Sequence, residues 1–201
     1  MLTGVVLAGG ENRRMGGKPK ALLEFGGEPM IRRQLRLMAG ACSELLVVTN
    51  DPRLLLSEVD RSVRIVTDYY PGNGPLGGIH AALSLCRSDY AWIVGCDMPF
   101  VSADAAGVLL EAVREAGADA AVPSVGGKLQ PLHGVYRTNC AEEAERLLRE
   151  ETYRVMEWIR RIRHVVVSDD RFAGTGIDTR FAVNANTPEQ WDEARRLERD
   201  G

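Results

Sequence analysis

Residues 5–20 read Val5-Val6-Leu7-Ala8-Gly9-Gly10-Glu11-Asn12-Arg13-Arg14-Met15-Gly16-Gly17-Lys18-Pro19-Lys20. A short apolar run ends in a glycine pair, followed by arginines, a second glycine pair and lysines. A strand that breaks into such a loop brings bare backbone N–H groups and fixed positive charge together at its carboxyl end. Glycine lets the backbone approach an anion closely and tolerates positive φ, so polyphosphates are held in such places. The stretch predicts a nucleotide site after a first β-strand.

Outward from that loop, strand-like and helical runs alternate. Leu2–Ala8 reads as a strand and Met30–Ala41 as a helix, with further strands at Leu45–Thr49 and Val63–Thr67. The glycine-rich Pro71–Gly78 opens a helix through Cys86. Tyr90–Gly95 is a strand and Ala103–Ala116 a helix, with Ser102 placed to cap it. Strands follow at Ala118–Val122, Leu132–Tyr136 and Val165–Ser168, separated by charged helical segments Ala141–Glu150 and Arg154–Ile162. Phe181–Asn184 reads as a late strand. Thr187, Pro188 and Gln190 sign the start of a last helix as N-cap, first-turn proline and capping-box partner. This alternation predicts an α/β chain with a mostly parallel sheet covered on both faces, with ligands at the strands' carboxyl ends.

The 201 residues are 45% hydrophobic, enough for one core, and 1–201 reads as a single domain. A net charge of -3 argues against a general nucleic-acid binder. No apolar run reaches the length of a membrane span, and no leader precedes the first strand, so a cytoplasmic protein is expected. The four cysteines (Cys42, Cys86, Cys96, Cys140) and three histidines (His80, His133, His164) are scattered, without the clustering of a zinc site. They read as reduced thiols and structural imidazoles.

Two familiar phosphate loops are excluded. Gly9-Gly10-Glu11-Asn12-Arg13-Arg14 is not Gly-x-Gly-x-x-Gly, and Gly17-Lys18 is followed by Pro19 rather than the Ser or Thr of a Walker loop. What remains is a longer loop carrying its own cations. Asp97 ends the strand Tyr90–Gly95, where a carboxylate can hold Mg²⁺ and recruit substrate phosphates. The competing role, capping the next helix, suits Ser102 better. Arginine gives bidentate phosphate contact and lysine a point charge.

Leu7-Ala8-Gly9-Gly10, Arg14-Met15-Gly16 and Lys20 together resemble the nucleotide loop of nucleotidyltransferases that join an NTP to a phosphomonoester. With Gly74-Pro75-Leu76-Gly77-Gly78, Cys96-Asp97-Met98-Pro99, Arg154-Val155-Met156 and Asn184-Ala185-Asn186-Thr187-Pro188-Glu189, the chain is most similar to the molybdenum cofactor guanylyltransferase (MobA) family. The likeness runs through nearly the whole length. Leu-Ala-Gly-Gly matches the guanylyl type rather than the Leu-Ala-Ala-Gly of cytidylyl relatives. Gly77 departs from that type, which more often has Ala there, a swap of one small residue for another.

The resemblance implies a three-layer Rossmann-like nucleotidyltransferase fold. It implies GMP transfer from GTP to the terminal phosphate of molybdopterin, with Mg²⁺ and release of pyrophosphate. It places catalysis on Arg14, Lys20 and Asp97, with Asp97 the metal ligand. The nucleotide would lie against Leu7, Ala8, Gly9, Gly10, Lys20, Asn50, Asp68, Gly74, Gly78 and Asp97, and the acceptor against Arg154, Asn184 and Asn186. Asn50, Asp68, Asn184 and Asn186 are also ordinary turn formers, and Arg154 alone would be a helix-surface arginine. Cofactor-delivery and molybdoenzyme-maturation proteins are the implied partners. A cytidylyltransferase or sugar-phosphate nucleotidyltransferase of the same fold, and a GTP-binding module without chemistry, are the alternatives.

Overall fold

A computed structural model describes residues 1–9 and 19–199. The chain runs β1 (Leu2–Leu7), a short antiparallel hairpin of β2 (Glu24–Phe25) and β3 (Glu28–Pro29), α1 (Met30–Ala39), β4 (Glu44–Val48) and β5 (Arg64–Val66). There follow α2 (Gly74–Leu85), β6 (Tyr90–Gly95), α3 (Ala103–Glu115), β7 (Ala120–Val125), β8 (Lys128–Leu129) and β9 (His133–Arg137). The chain continues through α4 (Ala141–Arg149), α5 (Val155–Arg161), β10 (His164–Val167), α6 (Asp169–Ala173) and α7 (Pro188–Arg199).

The main sheet has the order β10-β7-β9-β6-β1-β4-β5, with β8 added to β7. β1 pairs in parallel with β4 and β6, β4 with β5, and β10 with β7. β9 runs antiparallel to both β6 and β7.

Strand alternation feeds two apolar layers. Val6, Val47, Trp92 and Val94 face Ile31, Leu35 and Met38 of α1 and Ala105–Val113 of α3. Val5, Leu7, Leu46, Val48 and Ile93 face Leu76 and Ile79 of α2, Leu147 of α4 and Trp158 of α5. Burial on both faces explains why these strands read as continuous apolar runs rather than alternating ones. The α1 helix is amphipathic, burying Met30, Ile31, Gln34, Leu35 and Met38 on one side. Ser102 caps α3, its side chain accepting the Ala105 N–H at 3.1 Å.

The segment Phe181–Asn184 is not a strand. Thr179–Ala182 forms a 3-10 turn, started by the Asp178 carboxylate accepting the Arg180 N–H at 2.8 Å. Phe181 is buried against Phe172 and His133, with ring centroids 4.9 and 4.6 Å away. Burial of one aromatic ring, rather than sheet pairing, accounts for its apolar character. The last helix begins as expected, with the Gln190 N–H donating to Thr187 Oγ1 at 3.3 Å. Gln190 Oε1 in turn accepts the Asn186 N–H at 2.8 Å.

All four cysteines are unbonded, Cys140 buried and the others half-buried. Burial pushes each thiol up to about 12, which keeps them protonated. Among the described residues no helix is long and apolar enough to cross a membrane.

Candidate active site

Sheet register builds the site. Leu7 pairs with Val48 on one side and Gly95 on the other, and Val48 pairs with Val66, so four parallel strands end level. Two residues beyond those ends stand Gly9, Asn50, Asp68 and Asp97. All four line one cavity of about 610 Å³. Lys20, Gly74 and Gly78 share its wall, with Thr49, Cys96 and Leu132. Its apolar floor is Leu7 and Val48, the last side chains of β1 and β4.

At one end of the cavity the polar groups are tied together. Lys20 leads a 3-10 turn (Lys20–Leu22), and its ammonium donates to Asn186 Oδ1 at 2.7 Å and stands 4.0 Å from Asp97 Oδ2. The Ala185 N–H donates to the Asp97 carbonyl at 2.8 Å, fastening the Asn184–Asn186 segment to the end of β6. Behind this cluster Phe25, Met30, Ala185, Trp191 and Ala194 form a small apolar core. The hairpin that follows Lys20 and the helix that follows Asn186 therefore brace each other. Burial pushes the Asp97 carboxyl above its ordinary value, against the opposing pull of Lys20.

At the other end glycine shapes the wall. Gly72 and Gly74 have φ of +86° and +66°, a backbone region that side chains disfavour. At Gly77 a Cβ would lie 2.5 Å from Asp68 Oδ2, so the carboxylate rests where an alanine methyl would stand. The exchange of Gly for Ala is thus not neutral in this chain, because Asp68 would have to move. Asp68 Oδ1 also accepts the Tyr70 N–H at 2.7 Å.

Of the residues expected from the sequence, Leu7, Gly9, Lys20, Asn50, Asp68, Gly74, Gly78 and Asp97 line the cavity, and Asn186 is held against Lys20. Ala8 is half-buried beside a smaller hollow shared with Gly9 and Asn50. Asn184 donates to Gln130 Oε1 at 3.2 Å and to the Ala182 carbonyl at 3.0 Å, which ties it to the β8–β9 connection. Arg154 is exposed at the start of α5 and does not line the cavity. Gly10 and Arg14 lie outside the described residues. Leu132, Thr49 and Gly72 were not expected at the cavity. Leu132 lies in the turn just before β9, not at the start of that strand as its sequence suggests.

Among the described residues there is no group of three or more His, Cys, Asp or Glu side chains placed to hold a metal ion. A half-buried carboxylate at a cavity wall with one lysine nearby suits Mg²⁺ nonetheless. That ion is commonly held by one or two carboxylates, with waters and substrate phosphates completing its shell.

The model of the MobA-like NTP transferase domain matches residues 4–166, the part of the chain that supplies the four level strands and Asp97. The chain belongs to the MobA-like NTP transferase family. A MobA-like NTP transferase is an enzyme of nucleotidyl transfer, which fits a cavity with cationic and carboxylate groups at one end. A probable molybdenum cofactor guanylyltransferase of Pelotomaculum thermopropionicum is 39% identical over 96% of this chain and 91% of its own length. A molybdenum cofactor guanylyltransferase of Desulfosudis oleivorans is 31% identical over 96% of this chain and 94% of its own. In fold, the chain is similar to the molybdopterin-guanine dinucleotide biosynthesis protein A of Archaeoglobus fulgidus. The TM-score is 0.85 at 24% identity, covering 99% of this chain and 100% of the other.

Proposed function

We propose that this enzyme transfers GMP from GTP to the terminal phosphate of molybdopterin, releasing pyrophosphate and forming a guanine dinucleotide cofactor. The observation that carries the reading is the single cavity joining the Lys20–Asn186–Asp97 cluster to a glycine-lined wall with Asn50 and Asp68, in a chain similar over nearly its full length to guanylyltransferases of this cofactor.

The chemistry asks little of a general base. The acceptor phosphate is already ionised near neutral pH, and one of its oxygens forms the new bond to the α-phosphorus of GTP. The bond from that phosphorus to the oxygen joining it to the β-phosphorus breaks, and pyrophosphate leaves with that oxygen and the electron pair. What the protein supplies is position and charge. Lys20, held by Asn186, lays a fixed positive charge along the triphosphate. Arg14 in the preceding loop is assigned the same task on the departing pyrophosphate. Asp97 would hold Mg²⁺, which when bound neutralises phosphate charge and steadies the transition state. Asn50 and Asp68 carry oxygen acceptors suited to the N–H edge of guanine. Asn184, Asn186 and Arg154 are assigned to the acceptor. We read the chain as one nucleotidyltransferase domain, working in the cytoplasm with proteins that deliver molybdopterin and collect the product.

The test is pyrophosphate release from GTP, CTP and UTP in parallel, with Mg²⁺ and molybdopterin as acceptor. Release with GTP alone, dependent on acceptor, is expected. Release with CTP instead would move the assignment to cytidylyl transfer. Silence with all three would overturn the reading in favour of another acceptor or a binding module.

A further inference from the structure

The one buried glutamine side chain of α1 has no part in the helix itself. Gln34 is fully buried, and its amide nitrogen donates to the Gly95 carbonyl at 2.8 Å and to the Met98 carbonyl at 2.9 Å. These two carbonyls bracket Cys96 and Asp97. The four residues form a tight turn, closed by the Met98 N–H donating to the Gly95 carbonyl at 3.2 Å. The amide cannot face the other way, because its oxygen would then meet two carbonyl oxygens. Its Oε1 finds no partner among the described residues.

An unpartnered buried oxygen is unfavourable for folding, and leucine or methionine would fill the same place in the core without it. What the amide adds is a clamp on both ends of the turn. The Asp97 carboxylate lies back over Gly95, where a Cβ would stand 2.5 Å from its Oδ1. The carboxylate thus lies against the Gly95 backbone that Gln34 holds, in space that only a glycine at 95 leaves open. The middle of the turn is tied separately, by the Cys96 N–H to the Leu7 carbonyl at 3.1 Å and by the Ala185 N–H to the Asp97 carbonyl at 2.8 Å.

We infer that Gln34 is a positioning residue for the reaction, fixing from inside the core where the Asp97 carboxylate stands in the cavity. This rests on the reading of Asp97 as the carboxylate of the reacting end.

The experiment compares Gln34→Met, Asp97→Asn and the double variant in the full chain. It follows cooperative melting, GTP affinity by calorimetry and turnover by pyrophosphate release with saturating Mg²⁺. Displacing a reacting group by about 1 Å costs on the order of 10²-fold in rate. The expected result is a folded Q34M protein with turnover down roughly 10- to 100-fold and GTP affinity within about threefold. In the Asp97→Asn background, Q34M should cost nothing further, since two residues acting as one unit do not add. If Q34M lowers only the melting temperature, or its loss multiplies with that of Asp97→Asn, the inference is overturned while the role of Asp97 stands. If Asp97→Asn keeps full turnover, the reading of Asp97 fails and the inference with it. Should Q34M not melt cooperatively, Gln34→Glu carries the test. A carboxyl buried there stays protonated and keeps one donor, so a folded Q34E with reduced turnover supports the inference and one with unchanged turnover overturns it.

Discussion

The two ends of the cavity are built by different means. At the end proposed for the reaction, Lys20, Asn186 and Asp97 come from three distant stretches of chain and are joined by hydrogen bonds and a charge contact to one another and to the backbone. They stand on the buried cluster of Phe25, Met30 and Trp191. At the end proposed for the base, Asn50 is exposed, and the wall is a turn whose shape depends on two positive-φ glycines. The contrast suits the task proposed for each end. Stabilising charge as it develops requires groups already in place, because reorganisation in the transition state adds to the barrier. Recognising a base requires shape and a few acceptors, and a turn with little side chain gives room for it. Disturbing the first end should therefore show in turnover and disturbing the second in GTP affinity.

The sharpest way to break that division is Asp97→Ala. Turnover should fall by roughly 10³-fold or more, with the melting transition retained. A variant that kept its turnover and bound GTP more weakly would erase the distinction between the ends. Lys20→Ala should cost on the order of 10²-fold in turnover and also weaken GTP, because its ammonium neutralises ground-state charge as well. Calorimetry beside single-turnover kinetics separates the two contributions. At the base end, Gly74→Ala places a methyl on a backbone at φ +66°, a strain of order 1–3 kcal/mol. Its expected signature is the reverse: GTP KM raised about tenfold, with turnover at saturation within about twofold.

Legibility in the sequence follows the same division. The four level strands were readable because burial on both faces makes continuous apolar runs, and Asn50, Asp68 and Asp97 each follow such a run by a fixed step. Position beyond a strand end is local information. The reversal of β9 was not readable, since an apolar strand carries no mark of its direction. The misreading of Phe181–Asn184 has a similar cause: a ring buried against His133 and Phe172 looks, in one dimension, like a strand residue. Within the site, the bond from Lys20 to Asn186 spans 166 positions, and the rest of Asp68 on Gly77 and the grip of Gln34 on the Asp97 turn are equally non-local. Arg154 is the reverse case, a residue that a sequence motif marks but that is exposed and is not among the residues lining the described cavity.

The smallest effect expected is also the one that links stability to the reacting end. His133 is fully buried on β9, between the rings of Trp92 and Phe181. Its Nε2 accepts the Ser102 N–H at 3.3 Å, so the imidazole is neutral with its proton on Nδ1, which has no partner among the described residues. Burial pushes its pKa down from 6.5 to about 4. The unfolded chain therefore binds a proton more readily than the folded one between those two values, and stability must fall as pH falls through that window. From about pH 7.5 to about pH 6 the loss from this group is roughly 1 kcal/mol, continuing toward about pH 4. Urea unfolding at a series of pH values measures it, and His133→Gln should flatten that part of the profile. His133 braces Ser102 on the chain leaving Asp97 and Phe181 on the chain approaching Asn186. Loosening it should therefore lower turnover in step with stability while GTP affinity at the far end holds. A fall in GTP affinity with turnover unchanged would show that the imidazole supports the base end instead.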